Sequence, residues 1–98
     1  MKSGSITKKI IGGKLVRIDI TFDERIKTAK LTGDFFLHPE DTLEDIVEVL
    51  IGASVPIQHE ELRNKIEAVL EMKDAQLIGA SAEDIVNILK EVVACVSE

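Results

Sequence analysis

The stretch Lys14–Phe22, KLVRIDITF, alternates apolar and polar residues with a period of two. Val16, Ile18, Ile20 and Phe22 fall on one face of an extended chain, and Leu15, Arg17, Asp19 and Thr21 on the other. This pattern predicts a strand covered on one side only, the pattern of an antiparallel sheet with one wet face. Working outward, Asp23–Arg25 (DER) reads as a short charged turn, and Ile26–Leu31 as a second strand. A hairpin is the simplest arrangement of the two. Ala29, Leu31 and Phe35 share a parity, with Gly33 between them as a bend or bulge. On the other side, SITKKII ahead of Gly12-Gly13 predicts a further edge strand.

Beyond Pro39 the period changes. Thr42 with Asp45 three residues on has the spacing of a capping box. Leu43, Ile46, Val47, Leu50 and Ile51 follow at helical spacing, and Gly52 stands where a C-terminal glycine belongs. A second helix begins near Glu60 and Glu61, with Leu62, Ile66, Val69 and Leu70 on its apolar side. DAQLIGAS is a loop or a very short strand. Ser81, with Asp84 three residues later, caps a third helix. Its apolar stripe, Ile85, Ile88, Leu89, Val92, Val93 and Val96, is wide enough to pack on both the sheet and another helix. Asp84, Asn87, Glu91 and Ala94 form its opposite face. Strands first and helices afterwards predict an α+β fold, a small antiparallel sheet on about three C-terminal helices, with residues 1–98 as a single domain.

Composition narrows the function. The 98 residues are 45% hydrophobic and 31% charged, with no Trp or Tyr, so the core must be aliphatic. A formal net charge of -6 argues against a nucleic-acid partner, which needs a basic patch to displace counterions. The charge is unevenly spread: Lys2, Lys8, Lys9, Lys14 and Arg17 occur in a segment without acids. This segment is either a solvated edge or a surface that meets an anion or an acidic partner. No segment approaches the roughly 18 apolar residues of a membrane span. The opening residues lack the apolar run of a signal peptide. The lone Cys95 excludes an intramolecular disulfide and fits a reducing cytoplasm.

Candidate chemistry is sparse. Gly12-Gly13-Lys14 suggests a phosphate loop, but Lys8 stands where the first glycine is required and Leu15 where Ser or Thr is. A glycine turn is the plainer reading, with Lys14 free to reach an anion on a neighbouring subunit. His38 and His59 have no metal-ligand spacing around them. Cys95, near the end of an apolar helix and without a nearby base, reads as a packed thiol. No serine sits in a nucleophile elbow. We therefore expect no catalytic residues and no metal site in this chain.

One segment remains, LTGDFFLHPED (Leu31–Asp41). Neighbours in an extended chain point to opposite faces. If the parity of the second strand holds, Phe35 enters the core, contributing about 1.5–3 kcal/mol, and Asp34 and Phe36 face outward. A twist after Gly33 would instead bring both rings inside. An exposed aromatic with an adjacent carboxylate suits a protein interface, so the residues alone favour a binding or accessory module.

GGKLVRIDITF (12–22) and IKTAKLTGDFFLHPEDTLEDIVEVLIG (26–52), followed by IGASAEDIVNIL (78–89), together resemble the C-terminal accessory domain of lipoate-protein ligases. The likeness rests on Gly12, Gly13, Lys14 and Leu15, on Gly33, Asp34, Phe35 and Phe36, and on Leu50-Ile51-Gly52. Two features depart from the family. Asp23-Glu24-Arg25 replaces a turn that often holds glycine, and the large catalytic domain, with its glycine-rich motif and catalytic lysine, is absent.

The resemblance implies a split ligase in which this chain is a separate small subunit beside a catalytic large subunit. The large subunit would use ATP, magnesium and lipoate to form lipoyl-adenylate and pass the lipoyl group to a lysine of a lipoyl-acceptor domain. Gly12, Gly13, Lys14, Gly33, Asp34 and Phe36 are the residues expected at the subunit interface or completing the active site. The competing reading is a non-catalytic interaction or scaffold module of similar fold. An iron–sulfur scaffold would need several thiolates, and this chain has one.

Overall fold

The computed structural model describes residues 2–10, 12 and 14–96, with the side chain of Val96 excluded. Three N-terminal strands, β1 (Lys2–Lys9), β2 (Leu15–Phe22) and β3 (Ile26–Gly33), form an antiparallel sheet in the order β1-β2-β3. Ile18 sits between Ile6 of β1 and Leu31 of β3. The expected alternation of β2 is realised: Val16, Ile18, Ile20 and Phe22 are buried and Leu15 and Arg17 are exposed.

Pairing shifts between Thr21 and Phe22, which face Thr28 and Ile26 and leave Lys27 as the extra residue of a bulge. The bulge resets the parity of β3, so that Ile26 and Leu31 are both buried although five residues apart.

The chain then runs through β4 (Phe36–His38) and α1 (Thr42–Leu50) to α2 (His59–Met72), β5 (Gln76–Ile78) and α3 (Ala82–Val96). β4 and β5 pair antiparallel as a separate two-stranded sheet. The helices lie on one side of the large sheet. α3 packs on β1, β2 and α2, while α1 packs on α2 and beside β3. The wide stripe of α3 is buried throughout its described length, and Ala82 and Val86 join it. Ser81 caps α3 as expected: its Oγ accepts the Asp84 N–H at 3.2 Å and donates to Asp84 Oδ2 at 3.0 Å.

Two expectations are corrected. Thr42 does not cap α1. Asp41 is the N-cap, without a side-chain cap bond, and Thr42 is the first helical residue and fully buried. The Thr42 N–H is taken by the Pro39 carbonyl at 3.1 Å, so the turn through Pro39 starts the helix one residue early. Cys95 is not packed. The buried stripe of α3 passes through Val92 and Val93, and Cys95 falls beside it, facing solvent.

At the far end of α1, the Ile51 N–H bonds Val47 O at 3.0 Å and the Gly52 N–H bonds Ile26 O at 2.8 Å, placing Gly52 just beyond the helix as expected. The Arg25 guanidinium closes the same corner by donating to the Gly52 carbonyl at 3.0 Å.

Candidate functional site: an apolar end patch with one lysine

The structure gathers most of the residues singled out in the sequence at one end of the hairpin. The Asp34 N–H donates to Leu15 O at 2.9 Å, joining the start of β2 to the end of β3. Gly33 is required there by close approach: a Cβ would lie 2.2 Å from the Leu15 carbonyl oxygen and 3.0 Å from a ring carbon of Phe35. Phe35 turns inward and packs on the core, whereas Phe36 is 53% exposed. The two rings therefore take opposite faces, as the parity of β3 predicted.

β4 and β5 extend this end. Phe36 pairs with Ile78 across the two strands, so both side chains stand on one face, and Ile78 is 55% exposed. His38, two residues beyond Phe36, lies on that face too, its ring nearly parallel to the Phe36 ring at 6.1 Å. Gly79 follows Ile78 with φ +96°, and the Lys14 side chain lies across it: a Cβ at position 79 would meet Lys14 Cγ at 2.5 Å. Lys14 is thus seated on Gly79, its backbone carbonyl accepting the Ile10 N–H at 2.7 Å.

The result is a surface with Leu15, Phe36 and Ile78 as exposed apolar residues and with Lys14, Asp34 and His38 as its polar members. Isolated exposed apolar side chains are ordinary, but a facing pair on β4 and β5, with Leu15 exposed at the adjoining start of β2, has the composition of a contact surface. Gly12 is exposed at the adjoining turn, and Gly13 lies outside the described residues.

Sequence reasoning missed Leu15, Ile78 and Gly79 as members of the patch. Leu15 sat on the polar face of an alternating strand, where a lone apolar residue was the available signal. Ile78 and Gly79 are more than 60 residues from Lys14 along the chain, and only the β4–β5 pairing brings them in.

Beside the patch runs an open groove of about 670 Å³, bounded by Gly33, Phe35 and Phe36 on one side and by Glu40, Asp41 and Glu44 on the other. Among the described residues, no group of three or more His, Cys, Asp or Glu side chains is arranged to hold a metal ion. His59 lies elsewhere, between α2 and α3: its Nε2 meets the Glu83 carboxylate, and Lys90 Nζ stands 3.4 Å from its Nδ1. No described helix is long and apolar enough to cross a membrane.

Among solved structures, this chain is similar to one from an archaeal lipoylation system, a bi-partite lipoate protein ligase and its E2 lipoyl domain from Thermoplasma acidophilum. The two are 27% identical over 91% of this chain and 92% of the other, with a TM-score of 0.63. The likeness to lipoate-protein ligases read from the sequence is borne out. No protein-family model and no curated protein matches the chain. The similarity covers nearly the whole of both chains and so extends well beyond the quoted motifs.

Proposed function

We infer that this chain is the accessory subunit of a bipartite lipoate-protein ligase, supporting activation of lipoate by a separate catalytic large subunit. The observation that carries this reading is the end-to-end similarity, in sequence as well as fold, to a chain of the archaeal system. The patch supplies the physical means. Its apolar members would dock on the large subunit, and Lys14, raised on Gly79, would approach either the anionic adenylate or an acidic face beside it.

The patch does not fit a nucleotide or magnesium site of its own. It offers one lysine, one aspartate, one histidine and apolar side chains. In this proposal ATP, magnesium and lipoate belong to the large subunit's site, and the accessory chain completes the enclosure that excludes water from the reacting phosphates. The complex then serves lipoyl-acceptor domains. This chain contributes no nucleophile and no acid–base pair.

The experiment is reconstitution with a catalytic large subunit. Pyrophosphate release from ATP and lipoate is measured with and without this chain, as is transfer from pre-made lipoyl-adenylate to an acceptor domain. Activation should depend on this chain, and transfer should not. Phe36→Ala should weaken the complex and Lys14→Ala should slow activation. If the complex does not form and neither step responds, the ligase reading fails and a general interaction module becomes the better account.

A further inference from the structure

β3 is an edge strand of the three-stranded sheet, and part of its edge is bare. The Asp34–Leu15 hydrogen bond fixes which backbone groups face β2. Asp34, and with it Thr32, Lys30 and Thr28, direct their N–H groups inward, so Ala29, Leu31 and Gly33 direct theirs away from the sheet. At the start of the strand the outward groups are used: Ile26 exchanges bonds with Ala53 and Gly52 at 2.9 and 2.8 Å. From Ala29 to Gly33, no backbone hydrogen bond beyond those of the sheet occurs among the described residues.

The space beside this unpaired edge is open at Gly33 and partly open at Ala29, while Leu31 between them is only 2% exposed. The 670 Å³ groove at Gly33 and Phe36 continues along β3 into a second opening of about 480 Å³, with Ala29 and Lys30 on one wall and Val47 and Glu48 on the other. Leu31, Thr32, Leu43 and Glu44 line both. Natural proteins normally cover, twist or charge such an edge because it templates strand addition. Here the bulge at Lys27 lies before the unpaired stretch, and α1, although packed beside β3, leaves a groove along it.

Charge selects the occupant. The α1 side carries Glu40, Asp41, Glu44 and Glu48, and none of them forms an ion pair among the described residues, whereas the β3 side carries one cation, Lys30. A symmetric pairing of two β3 edges would bring two acidic rims together. A head-to-tail pairing of β3 with the basic β1 of a second copy would propagate as an open chain rather than a closed dimer. An extended segment of a different protein, carrying lysine or arginine toward α1, meets neither obstacle.

We propose that the bare edge of β3 and the groove between it and α1 receive an extended basic segment of a partner protein, added as a fourth strand to the sheet. Main-chain bonds to Ala29, Leu31 and Gly33 hold it, Leu43 and Val47 offer apolar contact, and the α1 carboxylates select its charge. The groove begins at Phe36, so it is continuous with the end patch. On the ligase reading, the segment belongs to the catalytic large subunit.

Amide hydrogen exchange on the full chain tests this, alone and with the large subunit. The amides of Ala29, Leu31 and Gly33 should slow by about tenfold or more in the complex. Glu44→Lys together with Glu48→Lys, both at exposed positions, should weaken the complex by at least about tenfold while leaving the fold intact, since surface changes away from the core cost little. A complex that leaves the three amides unprotected overturns the proposal.

If no complex forms, the ligase reading fails separately, and a synthetic peptide of about ten residues alternating valine and lysine decides the groove, that length matching a long strand. Protection of the three amides by this peptide, and not by its valine–glutamate counterpart, upholds the proposal with another partner. No protection, or protection that arises from self-association of the chain, overturns it.

Discussion

Thr42 is fully buried, and its hydroxyl has no hydrogen-bond partner. A buried hydroxyl without a partner carries a desolvation cost that a methyl group of the same shape does not. Thr42→Val should therefore stabilise the protein by about 1 kcal/mol, read as a higher urea midpoint at unchanged slope. An unchanged or lower midpoint would mean that the hydroxyl is satisfied within the fold. Gly33 presents the opposite case. A Cβ there meets the Leu15 carbonyl oxygen at 2.2 Å, and both strands would have to part. Gly33→Ala should cost about 1–3 kcal/mol in the same measurement, as overpacking does. It should also disturb the end patch, because the Asp34–Leu15 bond lies at the same point.

At the scale of elements, the turn between β2 and β3 is organised by Asp23. Its Oδ1 accepts the Arg25 N–H at 3.2 Å, and that backbone bond holds the carboxyl below its ordinary value, with Lys27 adding a smaller effect. A carboxyl depressed in the folded state contributes stability that is fully present above its unfolded value of 3.8 and is lost as the pH falls through the lower folded value. The destabilisation caused by Asp23→Asn should thus be visible at about pH 6 and shrink as both proteins are taken below about pH 3.5. A constant difference across that range would place the effect elsewhere than in the charge. The side chain is exposed, so the change is small and is best followed by denaturant midpoints at fixed pH.

The same scale shows what could be read beforehand. β2 and the stripe of α3 are long enough for their periods to be unambiguous, whereas the bulge breaks the period of β3, and Ser81 carries its own cap. The start of α1 was misread because the deciding bond comes from the Pro39 carbonyl, a backbone group with no side-chain signature. β4 and β5 have three residues each, too few to display a period, and their pairing joins segments about forty residues apart. For the same reason Lys14 could be singled out from its glycines, while its seat on Gly79 and its neighbour Ile78 could not. The outward face of Phe36 followed from strand parity only because Gly33 continued β3 without a change of face.

Across the whole molecule, burial and exposure divide between the layer that stabilises the fold and the end that is free to bind. α3 lies at the centre of the first, facing β1 and β2 on one side and α2 on the other, and Leu89 within it has no exposed surface. Leu89→Ala should cost about 2–5 kcal/mol, from lost transfer energy and the cavity left behind. Domains of this kind are stable by only about 5–15 kcal/mol, so this one change can remove much of the margin. Ile78 is no smaller than Leu89, but it stands on the β4–β5 face. Ile78→Ala should cost no more than about 0.5 kcal/mol, the usual limit for a surface change. Thermal unfolding of the two variants beside wild type checks the contrast. Comparable losses would mean that the β4–β5 face is part of the core. A large loss at Leu89 with none at Ile78 would leave the exposed isoleucine without a role in stability, as a surface used for contact with another protein requires.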